Sequence, residues 1–244
     1  MTALPLPTRA DEEFRYSDFG ALKQVWPVAP ETRTLAPGED ASLAIVADGA
    51  GPTVRSLVLR LGAGARFDLR VLNCGTGFGR IAVEVELADG ADFTLGAAQL
   101  AGAGQTLEIV TTVRHTGQNA TSRQIIRSVL GGEATGTYLG RVAVVRGANG
   151  TDAEQSVRAM LLDRTATANA RPELEIYADD VKCAHGCAVG ELDATGLFYL
   201  ESRGLNPVQA KRLMLQAFVA EAFVGAPDGE RLDKAALAAL EAML

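Results

Sequence analysis

Leu61-Gly62-Ala63-Gly64-Ala65-Arg66-Phe67-Asp68-Leu69 returns 26 residues later as Leu87-Ala88-Asp89-Gly90-Ala91-Asp92-Phe93-Thr94-Leu95, and Leu59 and Val85 stand at the same offset. In each copy a small-residue turn leads into an alternation of apolar and polar residues, which sends the apolar side chains to one face of a strand. An echo at fixed spacing marks a unit that buries its apolar face by stacking on the next one.

Outward from this pair the same grammar persists. Short β-branched runs at Ser56 to Leu61, Arg66 to Leu72, Ile81 to Leu87, Asp92 to Leu95, Leu107 to Val113, Arg123 to Val129, Arg141 to Val145 and Leu174 to Tyr177 are separated by Gly, Asp and Asn. A sandwich, a jelly roll or a β-helix fits such punctuation. Asn-Gly hairpin signals are nearly absent, with one at Asn149-Gly150, so stacked coils are favoured. The end coils of such a stack are open edges that need a cap or a partner.

The flanks read differently. Up to about residue 40 the chain is expected to be irregular, broken by Pro5, Pro7, Pro27, Pro30 and Pro37, with one short helical turn from Asp18 to Leu22. After Gly190 the pattern becomes helical. Asp193 caps a helix to about Arg203, and Gly204 stops it. Asn206-Pro207 opens a longer helix to about Val224, closed by Gly225, and a last helix runs from Asp233 to about Met243. The stripe containing Val208, Leu213, Leu215, Phe218 and Phe223 reads on its own as core. The chain therefore divides into an irregular segment (1–40), a coil core (41–190) and a helical domain (191–244).

Composition narrows the function. Aromatics are only 5% of the 244 residues, so Val, Leu, Ile and Ala must build the core. A net charge of −7 without any Lys/Arg run argues against nucleic acid and anionic membrane as partners. No apolar stretch is long enough to span a bilayer, and Met1 to Glu13 carries acids and prolines where a signal peptide would be basic and then apolar, so a cytoplasmic location is expected. In that setting three cysteines read as free thiols or ligands, and the glycosylation patterns at Asn119 and Asn149 as chance.

Two of those cysteines and one of two histidines fall in Cys183-Ala184-His185-Gly186-Cys187. On a strand the three donors leave one face, and thiolate with imidazole is the donor set that iron, zinc and copper prefer. Small apolar filling by the cysteines and a hydrogen-bonded turn histidine is the bland alternative. Elsewhere the candidates fail. Gly75-Thr76-Gly77-Phe78-Gly79-Arg80 precedes an alternating strand where a phosphate loop requires a helix, and no G-x-x-x-x-G-K-[ST] loop occurs. Cys183 and His185 as nucleophile and base lack a third orienting group. Asp179-Asp180 point to opposite faces, His115 reads as a solvated strand-end residue, and Cys74 as a small buried one.

The stretch Pro172-Glu173-Leu174-Glu175-Ile176-Tyr177-Ala178-Asp179-Asp180-Val181-Lys182-Cys183-Ala184-His185-Gly186 closely resembles the signature of the SufB/SufD family, in its SufD branch, of the SUF iron–sulfur cluster assembly scaffold. The likeness continues through Val189 to Asp193 and Leu197 to Gly204, and Leu6 to Asp18 resembles the family's opening segment. The resemblance implies a right-handed parallel β-helix followed by C-terminal helices, hence a mainly β fold. It also implies a non-catalytic subunit that pairs with SufB through the β-helix edge and docks the SufC ATPase on its C-terminal helices, where Leu215, Phe218 and Phe223 are the candidate contacts. A transient iron–sulfur cluster shared with SufB would take His185 as ligand, with Cys183 as second candidate; flavin binding by the complex and homodimers of the isolated chain are left open.

Three departures stand out. Cys187 replaces a small non-thiol residue, so it is a metal candidate on geometry alone. The chain starts near the Leu-Pro-Thr-Arg segment without the helical region that commonly precedes it, and Ala159-Met160-Leu161-Leu162-Asp163 lacks an asparagine usual ahead of the leucines. The rival readings are a β-helix enzyme of the polysaccharide lyase kind and a stand-alone metal-binding protein.

Overall fold

The computed structural model describes residues 5–244; Met1 to Leu4, where the expected irregular segment begins, lie outside the described residues. Strands alternate between two sheets as the chain winds: β1 (Glu31–Leu35) and β2 (Asp40–Ala47), β3 (Thr53–Leu61) and β4 (Arg66–Asn73), β5 (Phe78–Leu87) and β6 (Asp92–Ala101). The winding continues through β7 (Thr106–His115) and β8 (Thr121–Leu130), β9 (Thr135–Val144) and β10 (Asp152–Leu161), and β11 (Thr167–Ile176) and β12 (Lys182–Gly190). Odd strands form one six-stranded sheet in the order β1-β3-β5-β7-β9-β11 and even strands the other, β2-β4-β6-β8-β10-β12, every pair parallel. The result is a two-sheet solenoid of six coils, the expected mainly β fold.

The repeated stretch is the corner of a coil. Gly64 and Gly90 hold φ of +68° and +64°, a turn that side chains with a Cβ rarely adopt, and their amides donate to Asp89 O and Gln118 O on the next corner, both at 2.8 Å. The first coil carries the same device at Gly38, φ +74°. Strand β1 therefore begins at Glu31, inside the segment read as irregular up to residue 40. Pro37 occupies a corner there, where no ladder amide is required, and so does not break the coil.

Stacking in register turns each inward position into a column. Ala41, Phe67, Phe93, Ser122, Ala153 and Cys183 form one; Leu43, Leu69, Leu95, Gln124, Gln155 and His185 a second; Ile45, Val71, Ala97, Ile126, Val157 and Cys187 a third. Phe67, Phe93, Leu69 and Leu95 are at most 2% exposed, and burying each such side chain contributes about 1.5–3 kcal/mol.

Both outer faces carry a cover. Helices α2 (Ala194–Ser202), α3 (Pro207–Ala220) and α4 (Gly229–Glu241) follow the last strand. Leu215, Val219, Phe223, Leu232 and Leu240 pack on Leu72, Ala98, Leu100 and Val129 of the even-strand sheet. Gly96 lets this layer come close, since a Cβ there would meet Ala222 O at 1.8 Å, and Arg70 Nη1 donates to the same carbonyl at 2.8 Å. Asp193 and Asn206 cap α2 and α3 as their side chains predict. The last helix starts at Gly229, one turn ahead of the expected Asp233. Over the odd-strand sheet lie α1 (Phe19–Val25) and the turn before it. Phe14 stacks under the Arg80 guanidinium, 4.0 Å from the ring centroid, and Ser17 donates to Glu108 Oε2 at 2.9 Å.

His115 corrects the sequence reading. Instead of a solvated strand end, it is fully buried at the end of β7, its Nε2 2.9 Å from Ser122 Oγ, and burial pushes its pKa down to about 4. The folded state thus prefers the neutral ring, while an unfolded chain protonates near the ordinary imidazole value of about 6.5. The associated stability is fully present above that value and lost as pH falls from there to about 4, a difference of up to about 3 kcal/mol. Urea unfolding at the two ends of this window should show the loss, and His115→Gln should abolish most of it; a variant that loses as much stability across the window as the wild type would contradict it.

Candidate functional site

Among the described residues the sixth coil is the last of the stack. Strand β12 pairs with β10 on one side only, and β11 is likewise the terminal strand of its sheet. Inward residues of this coil face the same axis as those below, and no strand among the described residues lies above them. Cys183 is half-buried against the core while His185 and Cys187 are exposed. Ile176, Tyr177 and Val189, 39–66% exposed, add apolar surface to the same rim.

The three donors share a face because Cys183, His185 and Cys187 continue the columns of Ala153, Gln155 and Val157. Alternate residues on a strand stand roughly 7 Å apart at their Cα atoms, so the three donors are spread along the strand and not gathered at one point. Accordingly, no group of three or more His, Cys, Asp or Glu converges on a metal position among the described residues. Burial pushes both thiols up, with the charge of Asp152 adding to the effect at Cys183. Each is therefore a protonated thiol until a metal or a cation displaces its proton, which suits a ligand that is recruited and not a nucleophile standing ready. The Cys187 thiol lies 3.9 Å from Ala170 O across the coil.

A family model for "SUF system FeS cluster assembly, SufBD core domain" matches residues 51–218, which takes in every coil from the third strand onward together with α2 and most of α3. The chain belongs to the SufBD family. Among its relatives are the iron-sulfur cluster assembly protein SufD of Escherichia coli, 36% identical over 111 residues (46% of this chain, 26% of that protein), and SufD of Bacillus subtilis, 33% identical over 116 residues (48% and 26%). A SufBD family protein of Synechocystis is 34% identical over 140 residues (57% and 29%). The matched region spans little more than a quarter of each relative. Fold and family are thus fixed by both the coils and the comparison.

The remaining candidates fall into place around this frame. Leu215 and Phe223, 0% and 4% exposed, are covered by the chain's own sheet; Phe218 is half-buried with the Arg127 guanidinium 5.7 Å from its ring centroid. The exposed apolar residues of the helical layer are instead Phe198, Tyr199, Val208 and Leu213, each 46–73% exposed. Cys74 is half-buried beneath the helices, and burial raises its thiol to about 11. Asp179 and Asp180 are exposed in the turn before β12. Strand β10 was not legible as a strand, because Asp152 to Leu161 mixes small, polar and charged residues. It nevertheless carries Gln155, one rung below His185. The 26-residue interval of the first coils does not reach it, because Gln124, Gln155 and His185 share a column at longer steps.

Proposed function

We propose that this chain is a scaffold subunit for iron–sulfur cluster assembly, without turnover of its own, which presents His185 and Cys183 to a cluster built at the seam with a SufB-type subunit. The observation that carries the reading is the open last coil: an unpaired parallel edge, apolar at its rim, with soft donors on the face that a further coil or a sister subunit would cover. Imidazole and thiolate bind iron, and a donor set too sparse to close a cage favours a cluster in transit over one held permanently. Cys187 is the third donor on the same face. The cluster is cargo, completed by ligands from the partner.

The C-terminal helices support the second contact. Their buried stripe fastens them to the solenoid, and their exposed aromatic and aliphatic residues offer a surface for a SufC-type ATPase, which would supply the conformational work. No helix among the described residues is long and apolar enough to cross a membrane.

Anaerobic reconstitution of the chain alone, with a SufB-type subunit, and with SufB- and SufC-type subunits tests this reading. A complex should form through the last coil, and clusters should accumulate in the mixed assemblies. Iron and sulfide held stably by the chain alone would instead identify a self-sufficient metal-binding protein.

A further inference from the structure

The column beneath His185 changes character along the solenoid. Leu43, Leu69 and Leu95 occupy it in the first three coils, Gln124 and Gln155 in the next two, and His185 in the last. An amide in a close-packed interior is costly unless every polar atom is matched, so leucine would serve packing better here. Half of the polar atoms of the two amides are matched. Thr111 Oγ1 and Tyr138 OH donate to Gln124 Oε1 at 3.1 and 3.3 Å, and Gln155 Nε2 donates to Tyr138 OH at 3.1 Å. These contacts commit the nitrogen of Gln155 to the tyrosine and leave its Oε1 as an acceptor, buried and without a partner. The unpaired Gln124 Nε2 does not fill it, for the two amide atoms are not bonded to each other.

Gln155 is 1% exposed and its register partner on the adjacent strand is His185, on the same inward face and about 4.8 Å away along the stack. An imidazole on that rung can donate its N–H to the waiting oxygen. We infer that Gln155 is the positioning residue for His185: its Oε1 takes one ring N–H, fixes the tautomer, and turns the lone pair of the other nitrogen toward the open end of the solenoid. Metal-binding histidines generally need such a partner on the second nitrogen, and losing it costs about 10–100-fold in metal affinity or activity. The inference rests on the proposed role of His185 for its purpose, but not for its geometry.

The test keeps the two apart. Nitrogen-15 NMR of the intact chain with labelled histidine, in alkaline buffer where imidazole is neutral, reads the tautomer of His185 without any cluster. Gln155→Met keeps the side-chain length but removes the acceptor; Gln155→Glu restores one. The ratio of His185 tautomers should shift by at least about threefold in Gln155→Met and return in Gln155→Glu, while the buried His115 stays unchanged as an internal check of the fold. An unaltered His185 ratio in a folded Gln155→Met chain would overturn the inference. In the reconstituted complex the same variant should lower cluster yield about tenfold. A shifted tautomer with normal yield would leave the positioning intact and count against the ligand role of His185.

Discussion

Replacing His185 with alanine should leave the solenoid standing and empty the seam of its cargo. The ring is exposed on a terminal strand, so unfolding in urea should move by no more than about 0.5 kcal/mol. Cluster yield in the assembled complex should fall at least about a hundredfold, because losing only the supporting partner of a ligating histidine already costs about 10–100-fold. Cys183→Ser should give a smaller deficit, as its thiol must first lose a proton that burial holds in place. Visible absorption and electron paramagnetic resonance of the anaerobically reconstituted complex measure both. A His185→Ala complex that matures clusters at the wild-type level would remove the site.

The second large effect lies far from the rim. Arg80 and Glu108, 2% and 1% exposed at their side chains, meet at 2.6 Å under the N-terminal segment. Arg80 Nη1 also donates to Glu13 O at 2.9 Å, and its guanidinium lies over Phe14. Burial pushes the Glu108 carboxyl pKa up, while the adjacent guanidinium and the Ser17 hydroxyl pull it down. Arg80→Met leaves that carboxylate buried without its counter-charge and should cost about 3–5 kcal/mol in urea unfolding, with faster proteolysis between Glu12 and Trp26. Adding Glu108→Leu should recover most of the loss, since a buried pair exchanged whole for apolar groups is nearly neutral. A double variant as unstable as Arg80→Met would place the damage in the lost Phe14 and Glu13 contacts instead.

Legibility in the sequence followed local strength of signal. The corner at Gly64 and Gly90 was plain because both copies keep leucine, glycine and phenylalanine at one spacing. The corner at Gly38 escaped because Pro37 suggested a breaker and the strands beside it are short or half-exposed. Asp193, Asn206 and Pro207 announced their helices, as capping chemistry is local. Asp233 misplaced the last helix, whose start at Gly229 has no side-chain cap to announce it. The polarity of His115 suggested solvent, yet its burial is decided by the coil that stacks against it. Leu215 and Phe223 illustrate the same limit: a stripe at helical spacing states that a face is covered, not by what. The donors of β12 were visible as residues, whereas their standing on an uncovered end depended on which coil came last.

The most direct trial of the donor seam is pulsed electron-nuclear resonance on a reduced cluster in the mixed complex, with nitrogen-15 histidine confined to this subunit. Strong hyperfine coupling from one directly bound nitrogen, absent in His185→Ala, is the result expected here. A cluster matured in that complex and showing no coupling to this subunit's histidines would contradict the account at its centre.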